Sequence, residues 1–243
     1  MSVPELLPLG PDGVLVRFSD ELSEPANRAA LAFRAVVERD LPEGVVETAT
    51  ALTSVFFRFR PDLLRRADLE ERLRYMLVGE DWLAAALPEG RRLWRVPASF
   101  GGRFGPDLEE CAAAASMQAD AAIDEICNTR LRVLALGFAP GQPYLGFLPE
   151  HWNIPRRNDV TPEVPRGAVV VAVRQVIPFA SAAPTGWRQI GRTAFRCHDP
   201  GAKVPLPLRA GDEMQFEPVS AADLERYLKD ASSNGGAVAE LLS

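Results

Sequence analysis

The sequence predicts an α+β protein in two parts: a ferredoxin-like βαββαβ unit, then a closed or nearly closed β-barrel. Three observations carry this. Strand-like and helix-like apolar patterns alternate through the first part of the chain. Beyond about Pro97, short strand-like runs recur between prolines and glycines, the punctuation of an all-β barrel. With 243 residues and 47% hydrophobic content, there is enough apolar side chain for a sizeable core.

Taken in order, Val14 to Phe18 alternates as a strand should. Ser23 then offers an N-cap with Pro25 in the first turn, and Ala30, Phe33 and Val37 follow at helical spacing. Leu41 to Gly44 (LPEG) stops that helix. Val45 to Thr50 and Ser54 to Arg60 read as two strands, and Pro61 closes the second. Leu69, Leu73 and Met76 mark a second helix, Trp82 to Leu87 a short one, and Leu93 to Val96 the last strand of the unit. The predicted domains are therefore residues 1–96, a barrel over 97–218, and a C-terminal helix and tail over 219–243.

In the second part, Pro106 and Asp107 suit the first turn of a helix, where a carboxylate complements the dipole. Ser116 can cap another helix reaching Cys127. Strands are predicted at Arg130 to Leu136, Ala168 to Gln175, Ala194 to His198 and Glu213 to Glu217. Ser220 caps a closing helix, and residues 232–243 read as a frayed tail.

Composition excludes several classes. The net charge is -6, and no run exceeds two consecutive basic residues, so no nucleic-acid surface is expected. No apolar run approaches the length of a membrane span, and the N-terminus lacks the pattern of a signal peptide. Cys111, Cys127 and Cys197 are widely spaced and form no CxxC pair, which reads as reduced, partly buried thiols of a cytoplasmic protein. With only His151 and His198 present, a zinc site is not expected. Of 27 basic residues only Lys203 and Lys229 are lysines, and arginine is the residue for planar, bidentate recognition of carboxylate or phosphate. No GxxxxGK[ST] loop occurs.

The stretch LGFAPGQPYLGFLPE (136–150) crowds prolines and glycines together with large apolar side chains. Such a loop either folds back over a core or lines a cavity. Five blocks stand in order: SFGGRFGPDLEE (99–110), the 136–150 loop, IPRR (154–157), VPRGAV (164–169) and TGWRQIGRT (185–193). Together they resemble the family of allophanate hydrolase subunit 1, also known as the B subunit of 5-oxoprolinase or as kinase A inhibitor, over nearly the whole chain.

That resemblance implies a cyclophilin-like barrel behind the ferredoxin-like domain. It implies work beside a second, cyclophilin-like hydrolase subunit in a hetero-oligomer, with ATP as the cofactor, bound with or by that partner. The activity implied is opening of a small amide or lactam, either 5-oxoproline to glutamate or an allophanate-type reaction. The alternative branch of the family inhibits a histidine kinase and needs no turnover. The cyclophilin-like fold alone would also allow a peptidyl-prolyl isomerase, the weakest of the three readings.

The departures are local. The family's PGF reads PGQ here, with Gln142, and a histidine common near the helix end is replaced by Cys127 or Asn128. A glycine-rich strand is replaced by VVVAVRQVIPFASAAPTGW (169–187), which keeps only Gln175, Pro184, Gly186 and Trp187 of the pattern. Either the pocket is reshaped for another substrate or activity is lost.

The candidate site follows. Arg156 and Arg192, whose positions the resemblance carries over, are expected to recognise a carboxylate or phosphoryl group, or else to hydrogen-bond loop carbonyls. Thr193 orients a water or contacts substrate, or is a plain strand threonine. Phe138, Pro140, Gly141 and Tyr144 wall a groove at the barrel mouth, and Gln175 and Trp187 complete it, Trp187 as an anchor or a stacking platform. Asp107 and Glu109 could serve as a base or as metal ligands, with helix-dipole complementation the favoured reading. No metal is expected.

Overall fold

The computed structural model describes residues 4–230 and 234–242. Internal contacts divide the chain into two compact units, one ending at Glu89 and the other starting at Gly90.

In the first unit β1 (Glu5–Leu9) and β2 (Gly13–Arg17) form a hairpin. They are followed by α1 (Glu24–Arg39), β3 (Val45–Ala51), β4 (Ser54–Phe59) and α2 (Arg66–Leu77). The antiparallel strand order is β1–β2–β4–β3. The helix signals were local and were met. Ser23 accepts from the Ala26 N–H, Pro25 sits in the first turn, and Ala30, Phe33 and Val37 are buried. Phe33 packs edge-on against Phe18, Phe57 and Trp82, which ties α1 to the sheet. Two elements differ from expectation. β1 precedes the strand read as first, as an edge strand that tolerates Pro8. The strand expected to end the unit at Leu93–Val96 is β5 (Arg92–Phe100), and it pairs inside the barrel.

The second unit continues with α3 (Leu108–Ala114), α4 (Ala119–Asn128), β6 (Leu131–Leu136) and β7 (Pro143–Gly146). Then come β8 (Thr161–Val164), β9 (Ala168–Ala172), β10 (Gln175–Pro178), β11 (Ala183–Thr185), β12 (Arg188–Thr193) and β13 (Glu213–Pro218). α5 (Ala221–Lys229) and β14 (Val238–Leu241) close the chain. Seven strands, β6–β13–β5–β12–β9–β10–β7, close on themselves because β7 also pairs with β6. A separate β8–β11 ribbon completes the β structure.

Alternation along the strands sorts side chains into two clusters. Val169, Val171 and Val176 join Val96, Ile190 and Phe216 in the barrel core, whereas Ala168, Val170, Ala172 and Ile177 join Phe179 and Trp187 in a cluster with Val164 of β8. Just before β13, Asp212 is almost fully buried and accepts from the Arg92 and Arg209 N–H groups, the Arg92 guanidinium and the Trp94 indole N–H.

Several sequence expectations give way here. The run 168–175 is not one strand: it turns at Val173–Arg174, which have φ of 45° and 65°, into β10. The predicted 194–198 strand lies one element earlier, as β12. Ser116 caps nothing, since α4 starts after Gln118 and Ser116 sits at φ 61° in the turn before it. The supposed tail holds β14, antiparallel to β5, while residues 231–233 and 243 lie outside the described part.

Candidate functional site

The barrel core is solidly apolar, so its interior is not the site. Instead a recess of about 230 Å³ opens on the other face of β10, roofed by the segment that carries β11. Its walls come from three of the blocks recognised in the sequence. Phe138, Gln142 and Tyr144 come from the 136–150 loop, Arg156 from IPRR, and Thr185 and Trp187 from the start of TGWRQIGRT.

The 136–142 turn is tightly specified. The Gly137 N–H donates to the Gln142 carbonyl and the Gln142 N–H to that of Ala139. Gly141 has φ 70°, and a Cβ there would lie 2.2 Å from the Cys197 carbonyl oxygen, so only glycine fits. Phe138 takes a left-handed conformation at φ 68° and is 76% exposed at the edge of the recess. Pro140 is exposed and outside the recess, where it stiffens the turn.

Arg156 and Arg157 are adjacent and do different things. The Arg156 guanidinium lies 5.1 Å from the Trp187 ring centroid, and no carboxylate pairs with it among the described residues. Arg157 faces the other way. Its Nη2 pairs with Asp107 at 2.9 Å and with Glu110, and its N–H donates to the Gly186 carbonyl. Arg188 reinforces this clamp, pairing with Glu110 at 2.6 Å and donating to the Pro155 carbonyl. The hydrogen bond from Arg188, aided by that from Arg157, holds the Glu110 carboxyl below its ordinary range despite partial burial. Asp107 thus serves as more than a dipole partner: it also accepts from the Gln189 N–H at 2.7 Å.

The remaining expected residues lie elsewhere. Arg192 is five positions along β12 from Trp187, about 16 Å for an extended strand. Its Nε donates to the Arg166 carbonyl, and burial followed by the Arg166 charge lowers its pKa. Thr193 is buried, with its hydroxyl donating to the Pro97 carbonyl at 2.7 Å and accepting from the Phe195 N–H. Gln175 is buried beside the hairpin turn and does not line the recess. Arg156, Tyr144, Phe138 and Trp187 are therefore brought together, and Arg192, Thr193 and Gln175 are not. Gln142, where the resemblance implies a phenylalanine, also lines the recess.

All three thiols are buried, which pushes each to about 12. No group of three or more His, Cys, Asp or Glu side chains could hold a metal ion among the described residues. His151 instead pairs with Glu125, which also accepts from the Trp152 indole. A nucleoside triphosphate does not fit the recess. The volume lies below the roughly 300–1,000 Å³ of drug-sized sites, and a single guanidinium faces it. No helix among the described residues is long and apolar enough to cross a membrane.

The chain matches the carboxyltransferase domain family, subdomain C and D, over residues 4–208. It is 31% identical over 238 residues to the 5-oxoprolinase B subunit of Bacillus subtilis (strain 168), covering 92% of this chain and 96% of that one. The chain belongs to the family of the 5-oxoprolinase B subunit. Among solved structures, TTHA0988 superposes with a TM-score of 0.73 at 30% identity, over 86% of this chain. This family member spans only 40% of the TTHA0988 chain. The Kluyveromyces lactis urea carboxylase shares the fold, with a TM-score of 0.74 at 18% identity over 98% of this chain and 24% of its own.

Proposed function

We propose that this chain is a non-autonomous subunit of a heteromeric, ATP-dependent amide or lactam hydrolase, with 5-oxoproline as substrate and a second cyclophilin-like subunit as partner. The observation that carries this reading is the unpaired Arg156 over Trp187 in a recess sized for one small ring. A guanidinium without a counter-ion, beside aromatic walls, suits a small cyclic carboxylic acid. Family membership supplies the reaction class. No nucleophile, base and phosphate cradle converge on this recess, so the chemistry and the ATP site fall to the partner or to the joint surface. The same reading takes the barrel as cyclophilin-like and the first unit as ferredoxin-like with β1 as its edge strand. The four-stranded antiparallel sheet supports the latter.

The test is reconstitution with the partner subunit, measuring ATP-dependent glutamate release from 5-oxoproline. The chain alone should be inactive and the complex active. Arg156→Ala should raise KM at least tenfold, because a charge-assisted bidentate contact contributes about 1.5–3 kcal/mol. Full turnover by the isolated chain, or an unchanged KM in Arg156→Ala, would overturn the proposal.

A further inference from the structure

Gln142 is 1% exposed, yet it forms part of the recess wall. Its side-chain orientation is fixed. The Ala180 backbone N–H donates to Gln142 Oε1 at 3.2 Å, and a backbone N–H cannot accept, so the atom facing it must be the amide oxygen. That leaves Nε2, with two N–H donors, without a hydrogen-bond partner among the described residues. Among the described residues Nε2 is not one of the unpaired side-chain atoms that are wholly enclosed, and the side chain lines the recess, which puts this donor at the recess wall. The backbone beneath is equally constrained, since Gly141 touches the Cys197 carbonyl and Gln142 closes the turn to Gly137 and Ala139. A rigid amide donor thus joins a guanidinium in a small cavity whose other walls include Tyr144, Ile177 and Phe179.

We propose that Gln142 is the specificity-determining residue of this recess: its Nε2 donates to the ring carbonyl of a small lactam acid whose carboxylate pairs with Arg156. This rests on the function proposed above and narrows it. A phenylalanine at this place would offer a carbonyl no donor, so a chain with PGF here should discriminate by the carbonyl less sharply. Sites that hydrogen-bond a ligand reject the analogue lacking that group, because the donor is left unpaired.

The test is titration calorimetry on the full chain with three probes. These are 5-oxoproline, cyclopentanecarboxylate (same ring size and carboxylate, no lactam) and 2-pyrrolidinone (lactam, no carboxylate). The wild type should bind 5-oxoproline about tenfold more tightly than cyclopentanecarboxylate. Gln142→Leu should abolish that preference while leaving the cyclopentanecarboxylate Kd within about twofold, a shift too small to reflect a lost contact. Gln142→Glu, which keeps an oxygen facing the Ala180 N–H and removes both donors, guards against misfolding of the first variant and should lose the same preference. No binding of any probe at millimolar concentration, equal binding of both acids by the wild type, or a preference that survives in both variants would overturn the assignment. The hydrolase reading fails separately: selective binding without turnover in the reconstituted complex removes the reaction and leaves the recess. Turnover with an unchanged preference in the Gln142 variants does the reverse.

Discussion

The two-residue turn between β9 and β10 holds a stability defect that one substitution should repair. Gln175 pairs with Ala172, so Val173 and Arg174 are the turn's central residues, at φ 45° and 65°. Two positive φ values are the signature of a type I′ turn, where asparagine and glycine prevail. A left-handed conformation costs an ordinary L-residue about 1–2 kcal/mol, and a β-branched one is the worst placed. Val173→Asn should recover most of that. Its backbone donation to the Ile154 carbonyl at 2.8 Å is kept. The opposing loss is apolar cover. Val173 is already 39% exposed, and each 20 Å² of cover forfeited costs about 0.5 kcal/mol. The net expectation is stabilisation by about 0.5–1.5 kcal/mol, or about 2–4 °C in Tm for each kcal/mol. Urea unfolding should show a higher midpoint at unchanged slope. Arg174→Gly is the control in the same turn. It relieves the same kind of strain but loses the Arg174 Nε donation to the Leu148 carbonyl, the ion pair with Glu150 and the packing over Phe147. It should be neutral or destabilising. A neutral or harmful Val173→Asn, or an Arg174→Gly that gains as much, would refute the reasoning.

Other expectations are more direct. All three thiols should resist a thiol reagent such as DTNB in the native protein and react once it is denatured, since burial pushes each to about 12. Asp212→Ala removes the acceptor shared by Arg92, Trp94 and Arg209 and should cost about 3–5 kcal/mol in denaturant unfolding, as for any broken buried pair. Glu110 and Glu125 both titrate below their ordinary range. For Glu125, burial pushes upward and the hydrogen bonds from His151 and Trp152 prevail. Folded-state pKa values that are depressed stabilise above the unfolded value near 4.5 and lose that contribution as the pH falls through the folded value. The unfolding midpoint should therefore drop with acid below about pH 4.5, and drop less in the Glu110→Gln and Glu125→Gln variants.

What the sequence made legible was local. The Ser23 and Ser220 caps, the buried spacing of Leu69 and Leu73, and the strands at 45–51 and 213–218 all carry signals within a few residues. What it hid was set by distant partners. The 173–174 turn has no turn residue and is imposed from outside, by backbone hydrogen bonds to Trp152 and Ile154. Gly191 reads as a strand breaker, yet it lies mid-strand because a Cβ there would sit 2.8 Å from Phe100 and from the Ser99 carbonyl oxygen of β5. β14 has four exposed residues and no apolar alternation to announce it; its place comes from the edge of β5 not covered by β12. Three of the family blocks supply walls of the recess. They could not tell that Arg156 and Arg192 lie at opposite ends of one strand's neighbourhood.

The pair Arg156–Arg157 shows why residue type alone could not assign the site. Both are arginines on one loop, and chemistry would let either bind an anion. Asp107 and Glu110 on the α3 segment capture Arg157, and Arg188 takes the remaining Glu110 oxygen. With its neighbour satisfied and that neighbour's backbone pinned to Gly186, Arg156 lies across Trp187 instead. Arg156 is exposed, so water solvates its guanidinium and leaves it open to a ligand anion. The acidic residues of α3 thus set the difference between the two arginines: they use up one guanidinium and leave the other free of carboxylates.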